Sequence, residues 1–141
     1  MQANWTYLFF GAVALVVMVR LWVRTRGGRL AMDRLKLKLP IFGAIIRKIT
    51  LSRFAHHLET LHRAGVEFVL ALTVLERVVG NAWIARAVAQ VRERVIGGMA
   101  FTDALRTSGE FPPLVLRMVA SGEMSGNLSD SLSKVSQYYD K

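Results

Sequence analysis

Residues 5–22 read WTYLFFGAVALVVMVRLW, apolar throughout except for Arg20 near the far end. Eighteen helical residues rising about 1.5 Å each reach roughly 27 Å, enough to cross the hydrocarbon core of a bilayer. Trp5, Tyr7 and Trp22 stand where interfacial aromatics belong, and Arg20 is close enough to the end to extend its guanidinium toward the headgroups. A secretory signal peptide would carry basic residues before the run and a small-residue cleavage site after it, and this sequence has neither. The basic residues follow instead: Arg20, Arg24, Arg26, Arg29, Arg34, Lys36 and Lys38. By the positive-inside rule that flank is cytoplasmic and the N-terminus lies outside.

The chain carries a net charge of +9, and its location decides what it means. Residues 20–63 hold eleven Lys and Arg against Asp33 and Glu59, which accounts for the whole excess. From residue 64 onward eight basic residues face eight acids. A nucleic-acid-binding domain would carry its basic excess on the globular part, interleaved with aromatics, so nucleic acid is not expected as a partner. The absence of cysteine excludes disulfides, thiolate metal sites and a catalytic thiol.

After the span, Gly27-Gly28 is expected to break the helix, and 27–39 reads as a juxtamembrane linker. Its alternating basic and apolar residues suit either contact with anionic lipid headgroups or a plain solvated connection. Pro40 then opens a domain over 40–141, because proline excludes helix for the residue before it. Six helices follow from apolar spacing. The first, about 44–64, aligns Leu51, Phe54, Ala55, Leu58 and Leu61. The second, about 67–79, aligns Phe68, Leu72, Leu75 and Val79. The third begins at an Asn81 cap, turns Ile84, Ala87, Val88, Val91 and Val95 inward, and stops at Gly97-Gly98. A short fourth helix covers about 101–107, and a fifth uses Pro112-Pro113 as its first turn and runs to about Ala120. The sixth, about 127–139, stacks Leu128, Leu132, Val135 and Tyr139.

A small repeat supports this division. Gly65-x-x-Phe68-x-x-Ala71-Leu72 recurs as Gly98-x-x-Phe101-x-x-Ala104-Leu105 and, degraded, as Ser125-x-x-Leu128-x-x-Ser131-Leu132. Each copy puts a turn residue before a large apolar anchor, with a small-large pair following on the new helix. The expected fold is all-α: one N-terminal transmembrane helix, residues 1–26 with its basic flank, then an antiparallel bundle of about six helices.

Catalytic equipment is missing. His56, His57 and His62 are spaced by one and five residues, whereas metal ligands on a helix need three or four, so no metal or cofactor is expected. Glu59 and His62 have the right spacing but make an incomplete site. There is no P-loop and no dinucleotide-binding glycine signature, and GEMSG at 122–126 places its serine wrongly for a nucleophile elbow. The ten acids are scattered among basic residues as on a solvated helical surface, and no enzymatic activity is expected.

Several stretches, in order, are similar to the protein F family of type II secretion and type IV pilus inner-membrane platform proteins. They are Leu39-Pro40-Ile41-Phe42-Gly43; Arg53-Phe54 with Leu58, Leu61 and Ala64-Gly65-Val66; Phe111-Pro112-Pro113-Leu114-Val115; and Gly122-Glu123-x-Ser125-Gly126-x-Leu128. The resemblance implies a scaffold in the bacterial inner membrane that couples a cytoplasmic assembly ATPase to insertion of pilin-like subunits, among other inner-membrane assembly proteins and in homo-oligomers. Family members typically carry two such domains and three spans, so this chain corresponds to the middle span and the second domain, as a fragment or a short form. The other class of function open to the residues is a membrane-tethered helical adaptor with unrelated lipid-surface or binding duties. Pro40, Phe42, Gly65, Pro112, Gly122, Glu123, Ser125, Gly126 and Leu128 are the candidate site residues. Within 122–128 two roles stand side by side. In one, Gly122 and Gly126 end and turn a helix, Asn127 caps the next, and Glu123 favours that helix's positive terminus. In the other, Glu123 touches a partner.

Overall fold

A computed structural model describes residues 3–141, with side chains from Thr6 onward. All regular structure among the described residues is helical. Helix α1, Ala3–Arg24, contains a stretch over 6–24 long and apolar enough to cross a membrane, and its apolar side chains, among them Leu8, Phe10, Leu15 and Leu21, point into open space.

The expected break at Gly27-Gly28 falls instead at Thr25. The Thr25 hydroxyl donates to the Trp22 carbonyl (2.6 Å) and accepts from the Gly28 N–H (3.1 Å), closing one helix and capping the next within a single residue. Helix α2, Arg26–Lys38, therefore occupies the stretch expected as a linker. Glycine at 28 is required by proximity, since a Cβ there would lie 2.7 Å from the Trp22 carbonyl carbon. Pro40 ends α2 as expected: Leu39 is extended, and the chain turns so tightly that a Cβ on Gly43 would come within 2.7 Å of the Leu37 carbonyl carbon.

Six helices make the bundle: α3 (Phe42–Arg63), α4 (Phe68–Val78), α5 (Ala82–Ile96), α6 (Phe101–Ser108), α7 (Pro113–Ser125) and α8 (Leu128–Asp140). Each packs against the next through a short turn, and α8 closes on α3, giving the expected antiparallel arrangement. Leu51, Phe54, Leu58, Leu72, Leu75, Ile84, Val88, Val91, Leu105, Val115, Val119, Leu132 and Val135 form one continuous core. Each large side chain contributes about 1.5–3 kcal/mol by burial. Leu61, Phe68, Val95, Leu128 and Tyr139, at the ends of their stripes, are only partly covered.

The bundle has two distinct ends. At one, α2 is fastened to α5: Asp33 Oδ2 accepts the Ala82 N–H (2.8 Å), and the Arg34 guanidinium lies 4.5 Å above the centre of the Trp83 ring. Trp83 donates from its indole N–H to Glu110 (2.8 Å), which also pairs with Arg47 at 3.5 Å. Arg34 and Lys36, in the stretch that suits either headgroup contact or a solvated connection, are engaged with Trp83 and with Asp33 (3.2 Å). The far end carries the Gly65, Gly98 and Gly126 turns, all at positive φ (75°, 91° and 71°), where a side chain is strained and glycine is not.

Candidate functional site

The nine residues singled out in the sequence do not form one site. Pro40, Phe42 and Pro112 stand at the end where α2 docks. Pro40 and Phe42 are exposed, while Pro112 caps α7 and lines a groove with Arg47, Tyr138 and Tyr139. Gly65, Gly122, Glu123, Ser125, Gly126 and Leu128 belong to the far end, where the three repeats converge. There Phe68 and Phe101, the anchors of the first two copies, meet edge to face at 4.8 Å, and Arg63 reaches Asp130 at 3.5 Å.

Glu123 holds this end together, though not by the contact expected from sequence. Helix α6 begins at Ala100, which has no side chain able to cap it. Glu123 reaches across from α7 and supplies the cap. Its Oε1 accepts the Phe101 N–H at 2.7 Å, while Oε2 accepts the Thr102 N–H at 2.9 Å and the Thr102 hydroxyl at 2.6 Å. Burial pushes the carboxyl pKa upward, but the hydrogen bonds from Thr102 and Phe101 outweigh it and hold the group below the usual carboxylate range. The helix terminus that Glu123 complements is therefore that of α6 and not that of the following α8.

Two neighbours also differ from expectation. Gly122 does not end a helix, because α7 continues past Ala120 to Ser125. It is buried where α7 and α8 approach most closely, and a Cβ there would lie 2.6 Å from Ser131 Cβ. Asn127 sits at the start of α8 without capping it, since its amide donates to Asp130 Oδ2 at 2.7 Å. In the third repeat Ser125 takes the aligned glycine position, yet the left-handed residue is Gly126, so the glycine stands one residue nearer its apolar anchor than in the other two turns.

Thr102 and Ser131 complete the cluster; the sequence reads Ser131 only as the small residue of the third repeat and gives Thr102 no role. The available signal was the alanine before α6, a helix start that must find its acceptor elsewhere. Apolar side chains are exposed around the cluster, beside the exposed Arg63–Asp130 pair: Met124 is 89% exposed next to Glu123, and Ile96 and Met99 are exposed on the neighbouring turn. Of the histidines on α3, His56 and His57 meet edge to face at 5.8 Å, and His62 meets Phe68 of the far end edge to face at 6.3 Å. Among the described residues no three His, Cys, Asp or Glu side chains come together as metal ligands would. The far end thus combines a carboxylate-capped helix start with exposed, conformationally adaptable methionine side chains.

The family described as type II secretion system (T2SS), protein F matches residues 54–141. The chain is 37% identical over 142 aligned positions to the type IV pilus assembly protein PilC of Pseudomonas aeruginosa, covering 100% of this chain and 38% of that protein. It is 36% identical over 140 positions to TapC of Aeromonas hydrophila, also a type IV pilus assembly protein, covering 98% of this chain and 34% of the relative. To the type II secretion system protein F of Pseudomonas aeruginosa it is 33% identical over 129 positions, covering 92% and 32%. The chain spans about a third of the length of each. With most of its helical bundle inside the matched region, the chain belongs to the type II secretion system protein F family.

Proposed function

We propose that this chain is a membrane-anchored module of an inner-membrane platform for type II secretion or type IV pilus assembly. It corresponds to the middle span and second cytoplasmic domain of the longer relatives. Helix α1 crosses the bacterial inner membrane with its N-terminus outside, and 27–141 lie in the cytoplasm, as the basic residues from Arg20 to Lys38 favour. The module is a scaffold without chemistry of its own, coupling a cytoplasmic assembly ATPase to the insertion of pilin-like subunits.

The observation that carries this reading is the polarity of the bundle. One end is fastened to the segment leaving the membrane through Asp33–Ala82 and Arg34–Trp83. The opposite end, facing away from the bilayer, presents Met124, Ile96 and Met99 on turns stiffened by the Glu123 cap. Such a surface suits the ATPase. Ile41, Phe42, Ile45 and Ile49, exposed at the membrane-facing end, suit pilin-like subunits, other inner-membrane assembly proteins or a second copy of the chain. A photo-crosslinking residue at Met124 of the complete platform protein, expressed in cells assembling fibres, should give adducts with the ATPase, and one at Phe42 should give adducts with membrane components. ATPase adducts from Phe42 and none from Met124 would contradict the assignment.

A further inference from the structure

Where α1 ends and α2 packs onto the bundle, the fold leaves an open cavity of about 510 Å³ at its surface. Val23 from the end of α1 and Met32 from α2 give it an apolar wall, while Arg29 and Lys36 from α2 and Arg77 from α4 give it a cationic one. Two acids also line it, and both are already committed. Asp33 accepts the Ala82 N–H (2.8 Å) and pairs with Lys36 (3.2 Å), and Glu76 pairs with Arg92 (2.5 Å). Arg29 and Arg77 are exposed and, among the described residues, neither forms an ion pair. The fold thus brings two unneutralised guanidiniums, about fifty residues apart in sequence, to one cavity beside the end of the span.

We propose that this cavity seats the headgroup of an anionic phospholipid, with its phosphate between Arg29 and Arg77 and its glycerol and upper acyl chain against Val23 and Met32. Guanidinium groups recognise phosphate by paired, charge-assisted hydrogen bonds, and basic pockets beside membrane helices on the cytoplasmic face are the physical form such sites take. The depth is right, because Val23 is next to the last residue of α1, where the hydrocarbon gives way to headgroups. A free anion would use only the cationic wall. A phospholipid uses both walls, and a zwitterionic one brings an ammonium that the cations would repel. The bound lipid would fix the angle between span and bundle by joining α1, α2 and α4. This inference rests on the proposed function, in which α1 crosses the membrane.

The test uses the 141-residue chain in nanodiscs of phosphatidylcholine with phosphatidylglycerol, extracted into mild detergent, with retained lipid identified by native mass spectrometry. The chain should retain phosphatidylglycerol in preference to phosphatidylcholine. Arg77→Gln should weaken retention about fivefold and Arg29→Gln/Arg77→Gln roughly thirtyfold, following the usual contribution of each basic residue at a membrane surface. Arg24→Gln/Arg26→Gln removes the same amount of charge close to the end of the span but outside the cavity and should change retention far less. Equal losses from the two pairs, or none from Arg29→Gln/Arg77→Gln, would overturn the site. So would binding of inorganic phosphate to the solubilised chain as tight as that of phosphatidylglycerol. Resistance of the chain to alkaline extraction from vesicles reports on the span separately. A chain that stays inserted yet shows no preference for phosphatidylglycerol contradicts the cavity alone, and one that washes out contradicts the span as well.

Discussion

Thr102 gives both its backbone N–H and its hydroxyl to one carboxylate oxygen of Glu123, at 2.9 and 2.6 Å, tying the start of α6 to the end of α7. The bond links two hairpins that the chain builds separately. It also gives Glu123 a structural role at the far end.

Glu123→Gln should therefore cost about 1–3 kcal/mol at neutral pH, the range for hydrogen bonds to a charged group, because one acceptor oxygen becomes an amide facing N–H donors. The folded-state pKa is depressed, so the stabilisation is present above the ordinary carboxylate pKa and is lost as pH falls through the lower folded value. Denaturant titrations of wild type and variant should converge in acid. A constant difference across that window would show that the carboxylate charge is not what matters.

Gly122→Ala pushes a methyl group toward Ser131 Cβ, 2.6 Å away, in a buried contact between two helices. Overpacking of this kind costs about 1–3 kcal/mol. Pairing it with Ser131→Gly should recover part of the loss, a positive coupling measurable in a double-mutant cycle. Strict additivity would mean that α7 and α8 do not touch as described.

Leu132 is fully buried, and Leu132→Asp should destabilise the bundle by about 3 kcal/mol or more by placing an unpaired charge in its core. A neutral effect on the thermal midpoint would contradict the packing.

The helices of the bundle were legible because each buries one stripe at helical spacing, and Leu51, Phe54 and Leu58 or Leu128, Leu132 and Val135 announce themselves without any partner. Features that depend on two distant segments were not. Glu123 reads as an acid before a turn, and nothing local says that its partners lie 21 and 22 residues earlier. Gly122 reads as a helix end because glycine usually is one, whereas here its missing side chain admits Ser131. Gly27-Gly28 reads as the break after the span for the same reason. Thr25, whose hydroxyl can satisfy both sides of a break, was the better signal.

Asp33→Ala should release α2 from the bundle, because the Ala82 N–H loses its acceptor at 2.8 Å. A lost helix cap costs about 1 kcal/mol, and hydrogen exchange should accelerate at Ala82 and along α2 while α7 and α8 stay protected. Unchanged exchange at Ala82 would mean that the docking does not depend on Asp33.

The account as a whole requires the Met124 end of the bundle to lie in the cytoplasm. The chain has no cysteine, so a single Met124→Cys substitution provides a thiol without background, and its side chain is almost fully exposed. A membrane-impermeant maleimide added to spheroplasts and to inverted inner-membrane vesicles reads its side directly. Labelling in inverted vesicles and none in intact spheroplasts is the predicted result, and labelling in intact spheroplasts would contradict the orientation on which the proposed role depends.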